Sequence, residues 1–128
     1  MSTYAFSKTL PGADFDDVLT RTRGALLAEG FGVPTEMDTQ AIFKAKLGKD
    51  SERRMILGAC LAEVAFEAMA IEPEVSVLLP CNVVVREQPH AVEVTAVNPR
   101  ALFTLTKRLD PAHAAKVKAK LQAALDRI

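Results

Sequence analysis

The chain has 128 residues, 49% of them apolar, and its 16 basic and 16 acidic side chains give a formal net charge of zero. This length predicts a single domain over residues 1–128 with one hydrophobic core, and the balanced charge argues against nucleic acid or an anionic membrane as a partner. Two cysteines are too few for a disulfide-built secreted scaffold. Because the first residues lack a signal-peptide pattern and no apolar window approaches a membrane-spanning length, we expect a cytoplasmic protein.

The first third of the chain predicts a strand, a helix and a second strand. Residues 4–10 form the opening strand, and Asp14 is placed to cap a helix whose apolar side chains recur at helical spacing until Gly30 ends it. Residues 31–37 are predicted to form the second strand, an extended segment. Pro34 lacks an amide donor, so this segment belongs at a sheet edge or in a bulge.

The middle of the chain predicts two helices around a strand. Asp38 is placed to cap a short helix that runs through Leu47, although residues 40–45 also fit an alternating strand. A polar loop over 48–54 leads into a strand over 55–60. The next helix starts after Cys60, carries an apolar stripe and ends at Pro73; the stripe consists of Leu61, Val64, Ala65, Ala68 and Met69.

The last part predicts two strands and two helices. An apolar run over 75–85 predicts a long strand interrupted by Pro80, and a turn over 87–90 joins it to a strand over 91–97. A short helical segment over 101–105 follows. Asp110 as cap and Pro111 in the first turn then predict a terminal helix.

Both cysteines lie beside residues that interrupt regular strands, which makes them candidates for a site. Gly58 precedes Cys60, and Cys60 is expected where a strand meets a helix N-terminus, a position that stabilises a thiolate. Pro80 precedes Cys81 and removes one backbone donor. The alternative is that both thiols are small apolar side chains packed in the core.

Two further polar residues are candidates for ligand binding. The amide of Asn82 is suited to satisfy a freed backbone group or to contact a ligand, and Glu36 lies near a predicted sheet end, where it lines a pocket or marks the strand exit. The sequence contains no C-x-x-C pair and places no histidine beside either cysteine. We therefore expect no metal and no cofactor.

The chain resembles the bacterial and archaeal family known as domain of unknown function 302. The resemblance rests on dispersed motifs in the right order: Phe31-Gly32-Val33, Thr35-Glu36-Met37-Asp38, Ile56-Leu57-Gly58-Ala59-Cys60, Leu78-Leu79-Pro80-Cys81-Asn82-Val83-Val84-Val85 and Asn98-Pro99-Arg100. It implies a dimer with an α+β fold. The implied fold is a curved antiparallel sheet with helices packed on one face, a TATA-binding-protein-like β-α-β(4)-α arrangement with additional short helices, without implying DNA binding. The family has Asn-Pro after the first cysteine, where this chain has Leu61-Ala62.

These observations favour a small cytosolic binding or accessory protein, a homodimer with a pocket for a small-molecule ligand near Cys60 and Pro80-Cys81-Asn82. One alternative is a redox or sulfur-transfer enzyme in which Cys60 attacks and Cys81 resolves or receives the sulfur. Another is a structural module that recruits a second protein. The sequence lacks a phosphate-binding glycine loop, an H-E-x-x-H motif and a G-x-S-x-G motif, which argues against the common hydrolases and nucleotide-dependent enzymes.

Overall fold

The computed structural model describes residues 3–128. Within that range the chain forms five strands, five α-helices and one 3-10 helix. In chain order they are β1 (Ala5–Pro11), α1 (Phe15–Ala28), β2 (Gly32–Asp38), α2 (Thr39–Leu47), β3 (Arg54–Cys60), α3 (Ala62–Ile71), the 3-10 helix (Pro73–Leu78), β4 (Cys81–Gln88), β5 (Ala91–Val97), α4 (Pro99–Phe103) and α5 (Pro111–Asp126).

The strands of the described chain form one open antiparallel sheet in the order β1-β5-β4-β3-β2. Helices lie on one side of it, which confirms the predicted α+β fold. β2 is an edge strand, and its pairing with β3 shifts register between Gly32 and Thr35, around Pro34. The prediction that Pro34 belongs to an edge or a bulge is therefore confirmed.

The core lies between the sheet and helices α1 and α5. The Asp14 carboxylate accepts a hydrogen bond from the Asp17 amide, and Asp110 accepts one from the Ala112 amide, so both predicted caps are present. Alternate residues of the central strands point toward these helices. The fully buried side chains of this core include Val18, Leu26, Leu57, Val83, Val85, Val92, Val94, Leu121 and Leu125.

Residues 39–47 form the predicted helix and not the alternative strand, and both ends of α2 are capped. The Asp38 carboxylate accepts a hydrogen bond from the Ala41 amide, and Gly48 ends the helix with φ +66°. The apolar side of α2 is nevertheless exposed to solvent. Ile42 and Phe43 are each 37% exposed and Leu47 is 62% exposed.

The prediction of a strand over residues 75–85 is wrong in its first half. Residues Pro73–Leu78 form a 3-10 helix, and β4 begins only at Cys81. Pro73 occupies the first turn, and the Ser76 hydroxyl donates to the Pro73 carbonyl at 2.8 Å. This local hydrogen bond favours the helical turn, and the apolar run joins the sheet only from Cys81 onward.

The remaining predicted elements are confirmed with small shifts at their ends. β4 and β5 form the expected hairpin, the short helix spans Pro99–Phe103, and the terminal helix spans Pro111–Asp126. None of the helices within residues 3–128 is long and apolar enough to cross a membrane.

Candidate functional site

The two cysteines come together at one end of the sheet. β3 ends at Cys60 and the antiparallel β4 begins at Cys81, whose register partner is Ala59. The chain then leaves Cys60 through Leu61, the N-cap of α3, so the predicted junction of strand and helix at Cys60 is confirmed.

An apolar cavity of about 260 Å³ opens at this end of the sheet, and we call it the β3–α3 cavity. It lies between the ends of β2, β3 and β4, helix α3 and the segment around Pro80. Almost all of its wall is contributed by apolar side chains. The wall residues are Phe31, Pro34, Thr35, Ala59, Cys60, Leu61, Val64, Ala65, Ala68, Met69, Ser76, Leu79, Pro80, Cys81, Phe103 and Val117.

Gly58 shapes the cavity without lining it. A Cβ at this position would lie 2.0 Å from Thr35 Oγ1 and 2.6 Å from Pro80 Cγ. The side chains of Thr35 and Pro80, both wall residues, therefore meet directly over the Gly58 backbone. Only a residue without a side chain leaves room for that contact.

Cys60 and Cys81 both line the β3–α3 cavity. Cys81 begins β4 and is paired in register with Ala59, and Cys60 follows Ala59 as the last residue of β3. Cys81 is buried, whereas Cys60 is partly exposed. Burial raises the pKa of the Cys81 thiol to about 11, and the nearby Cys60 is a smaller cause of the same shift. Cys81 is therefore a neutral thiol near pH 7.

Two acidic side chains, Glu67 on α3 and Glu72 at its C-cap, contact the C-terminal part of the chain. The Glu72 carboxylate accepts hydrogen bonds from the Lys107 and Arg108 amides at 2.9 and 2.7 Å. These two bonds lower the pKa of Glu72. Glu67 Oε2 lies 3.4 Å from His113 Nε2. These contacts join α3 and the residue after it to α5 and to the segment that precedes α5.

Of the six predicted ligand-binding residues, Cys60, Pro80 and Cys81 line the cavity, and Gly58 lies directly beneath its wall. Asn82 is exposed next to Cys81 and pairs in register with Gly58. Within residues 3–128, Asn82 and Glu36 are not part of the cavity wall. The sequence interpretation missed Thr35 and Phe31, whose approach to Gly58 and α3 depends on the pairing of β2 with β3.

Glu36 forms an ion pair with α1 instead. Arg23 Nε donates to Glu36 Oε2 at 2.8 Å and Arg23 Nη2 donates to Oε1 at 2.6 Å. The hydrogen bonds from Arg23 lower the pKa of the Glu36 carboxyl. This bidentate pair joins edge strand β2 to α1.

We expect Glu36→Gln to lower the free energy of unfolding at pH 7 by less than about 1 kcal/mol, because the pair is partly exposed. A carboxyl whose pKa is lowered by folding stabilises the protein above its unfolded pKa and loses that effect as the pH falls through the folded value. The difference between wild type and variant should therefore shrink below about pH 4.5. Urea unfolding at pH 7 and pH 3.5 checks this; a difference that grows in acid would contradict it.

Within the described part of the chain, no group of three or more histidine, cysteine, aspartate or glutamate side chains is arranged to hold a metal ion. The cavity instead offers apolar surface, two hydroxyls and two thiols. Such a wall is suited to bind an apolar molecule by burial.

The family profile described as domain of unknown function DUF302 matches residues 6–128. The chain belongs to this family. The crystal structure of an uncharacterized conserved DUF302 protein from Bacillus stearothermophilus superposes with a TM-score of 0.87, covers 98% of each chain and shares 24% sequence identity. At this sequence identity, the superposition shows that the two chains share a fold. No curated protein matches the chain described here.

Proposed function

We propose that this DUF302 protein is a small binding or accessory protein that holds a small-molecule ligand in the β3–α3 cavity. The observation that carries the proposal is the cavity itself, which brings Cys60, Pro80 and Cys81 together with α3. Concave, largely apolar cavities with a few uncharged polar groups are the usual form of a small-molecule site. The free thiols are typical of a reducing compartment, so we place the protein in the cytoplasm.

The burial of Cys81 supports ligand binding better than thiol exchange between the two cysteines. Thiol exchange requires accessible thiols, and Cys81 is buried. The raised pKa of Cys81 also keeps that sulfur protonated near neutral pH. A redox or sulfur-transfer role therefore receives less support than ligand binding.

Protection of Cys60 from alkylation tests this function. We expect iodoacetamide at pH 8 to label the partly exposed Cys60 of the native protein while Cys81, buried and with a pKa of about 11, reacts only after unfolding. Hexan-1-ol, used as a small apolar probe, should slow labelling of Cys60 because Cys60 lines the cavity. A glutamate-specific protease separates the two cysteines, because four glutamates lie between them, and mass spectrometry of the resulting peptides gives both rates. An unchanged Cys60 rate at saturating hexan-1-ol, or faster labelling of Cys81, would count against the proposal.

We also propose that the protein is a homodimer, and the exposed apolar side of helix α2 supports this. Thr39, Ile42, Phe43 and Leu47 recur on one side of α2, but of these only Thr39 is buried within the described residues. An isolated helix of nine residues is marginally stable in water. A second copy packed on this apolar side would stabilise α2, and a symmetric dimer uses the same surface twice.

We expect Phe43→Glu to convert the dimer to a monomer, since it places a charge in the proposed interface. Light scattering coupled to gel filtration gives the mass in solution. Phe66→Glu is the matched control, because Phe66 is also exposed but lies on α3. A monomeric wild type, or equal dissociation by both substitutions, would exclude this interface.

A further inference from the structure

The wall of the β3–α3 cavity is uncharged throughout the part of the chain that the structure describes. Its polar side-chain groups are the Thr35 and Ser76 hydroxyls and the two thiols. The Ser76 hydroxyl already donates to the Pro73 carbonyl. Thr35 Oγ1 lies over Gly58, beside Pro80. A charged group entering this cavity would lose its hydration without gaining a side chain of opposite charge.

The size of the cavity is sufficient for a compact organic molecule. Its volume of about 260 Å³ exceeds the roughly 150 Å³ of an apolar protein cavity that takes up benzene. Binding there would be driven by removal of apolar surface from water. The cavity wall therefore favours a ligand with an apolar carbon skeleton.

We infer that the β3–α3 cavity takes a neutral, largely apolar small molecule with an uncharged hydrogen-bonding group, and that it rejects charged analogues. This inference rests on the proposed ligand-binding function. It names the chemical class of ligand for that site.

Three probes with the same six-carbon chain test the inference at pH 7: hexan-1-ol, hexylammonium and hexanoate. Heteronuclear NMR titration of the full chain would follow the backbone amides of Ala59, Leu61 and Ala65, all wall residues. We expect hexan-1-ol to bind at least about tenfold more tightly than either hexanoate or hexylammonium, because a buried charge would have no partner of opposite charge in the wall.

The outcomes separate the inference from the proposed function. Binding of hexanoate at the same amides with equal or higher affinity would overturn the inference and leave the cavity as a ligand site. Failure of all three probes to shift these amides would overturn both. Ala65→Phe, which fills the cavity, should abolish the hexan-1-ol shifts, and the exposed Ala70→Phe on the same helix should retain them. Shifts that persist in Ala65→Phe would place the alcohol elsewhere and overturn the inference.

Discussion

Gly58→Ala is expected to lower the free energy of unfolding by about 2–3 kcal/mol, because it overpacks a site where three strands meet. The added Cβ would lie 2.0 Å from Thr35 Oγ1 and 2.6 Å from Pro80 Cγ. The Thr35 hydroxyl is able to rotate away, but the Pro80 ring is rigid and must move with its backbone. Both residues line the β3–α3 cavity, so the substitution should also weaken ligand binding.

Gly24→Ala is the matched control for this substitution. Gly24 lies inside α1, and a Cβ there would meet no atom within 4 Å in the described structure. Alanine is a better helix former than glycine, so Gly24→Ala should raise the free energy of unfolding by roughly 0.5–1 kcal/mol. Urea unfolding of both variants at 25 °C measures the contrast. Equal effects of the two substitutions would show that the close approach over Gly58 has no energetic consequence.

Ala65→Phe is expected to weaken binding of hexan-1-ol by at least about tenfold without lowering the stability of the protein. Ala65 lies on α3 and lines the cavity, so a larger apolar side chain would occupy the volume that the alcohol requires. Filling an apolar cavity is neutral or stabilising when the new side chain fits without strain.

Ala70→Phe separates loss of the cavity from a general effect on α3. Ala70 is exposed on the same helix and lies outside the cavity wall formed by the described residues. We expect this variant to bind hexan-1-ol as wild type does. Melting temperatures and NMR titrations of both variants give the comparison; equal loss of binding in both would assign the effect to α3 as a whole.

The sequence was sufficient to predict most of the fold because its helices carry explicit start signals. Asp14, Asp38 and Asp110 each accept a hydrogen bond from a backbone amide in the first turn of a helix. The apolar run over 75–85 was misinterpreted, since its composition suits a strand while Pro73 and the Ser76 hydroxyl favour a local turn. A short apolar run does not distinguish these outcomes by periodicity.

The site was predicted in part, because local interruptions mark it in the sequence. Gly58 and Pro80 stood out within apolar runs, and the structure places both beside the cavity. The stripe of Val64 and Ala65 predicted only that α3 packs by one side. Whether that side fills its space or leaves a cavity depends on how far α3 lies from the ends of β3 and β4. Sequence spacing does not contain that distance.

The measurement that tests the central claim most directly is a heteronuclear NMR titration of the wild-type protein with hexan-1-ol. The claim is that the space between β3, β4 and α3 is a binding site. It predicts saturable shifts centred on the amides of Ala59, Leu61, Ala65 and Cys81, all residues of the cavity wall. Shifts that do not saturate, or that centre on the exposed apolar side of α2, would contradict it.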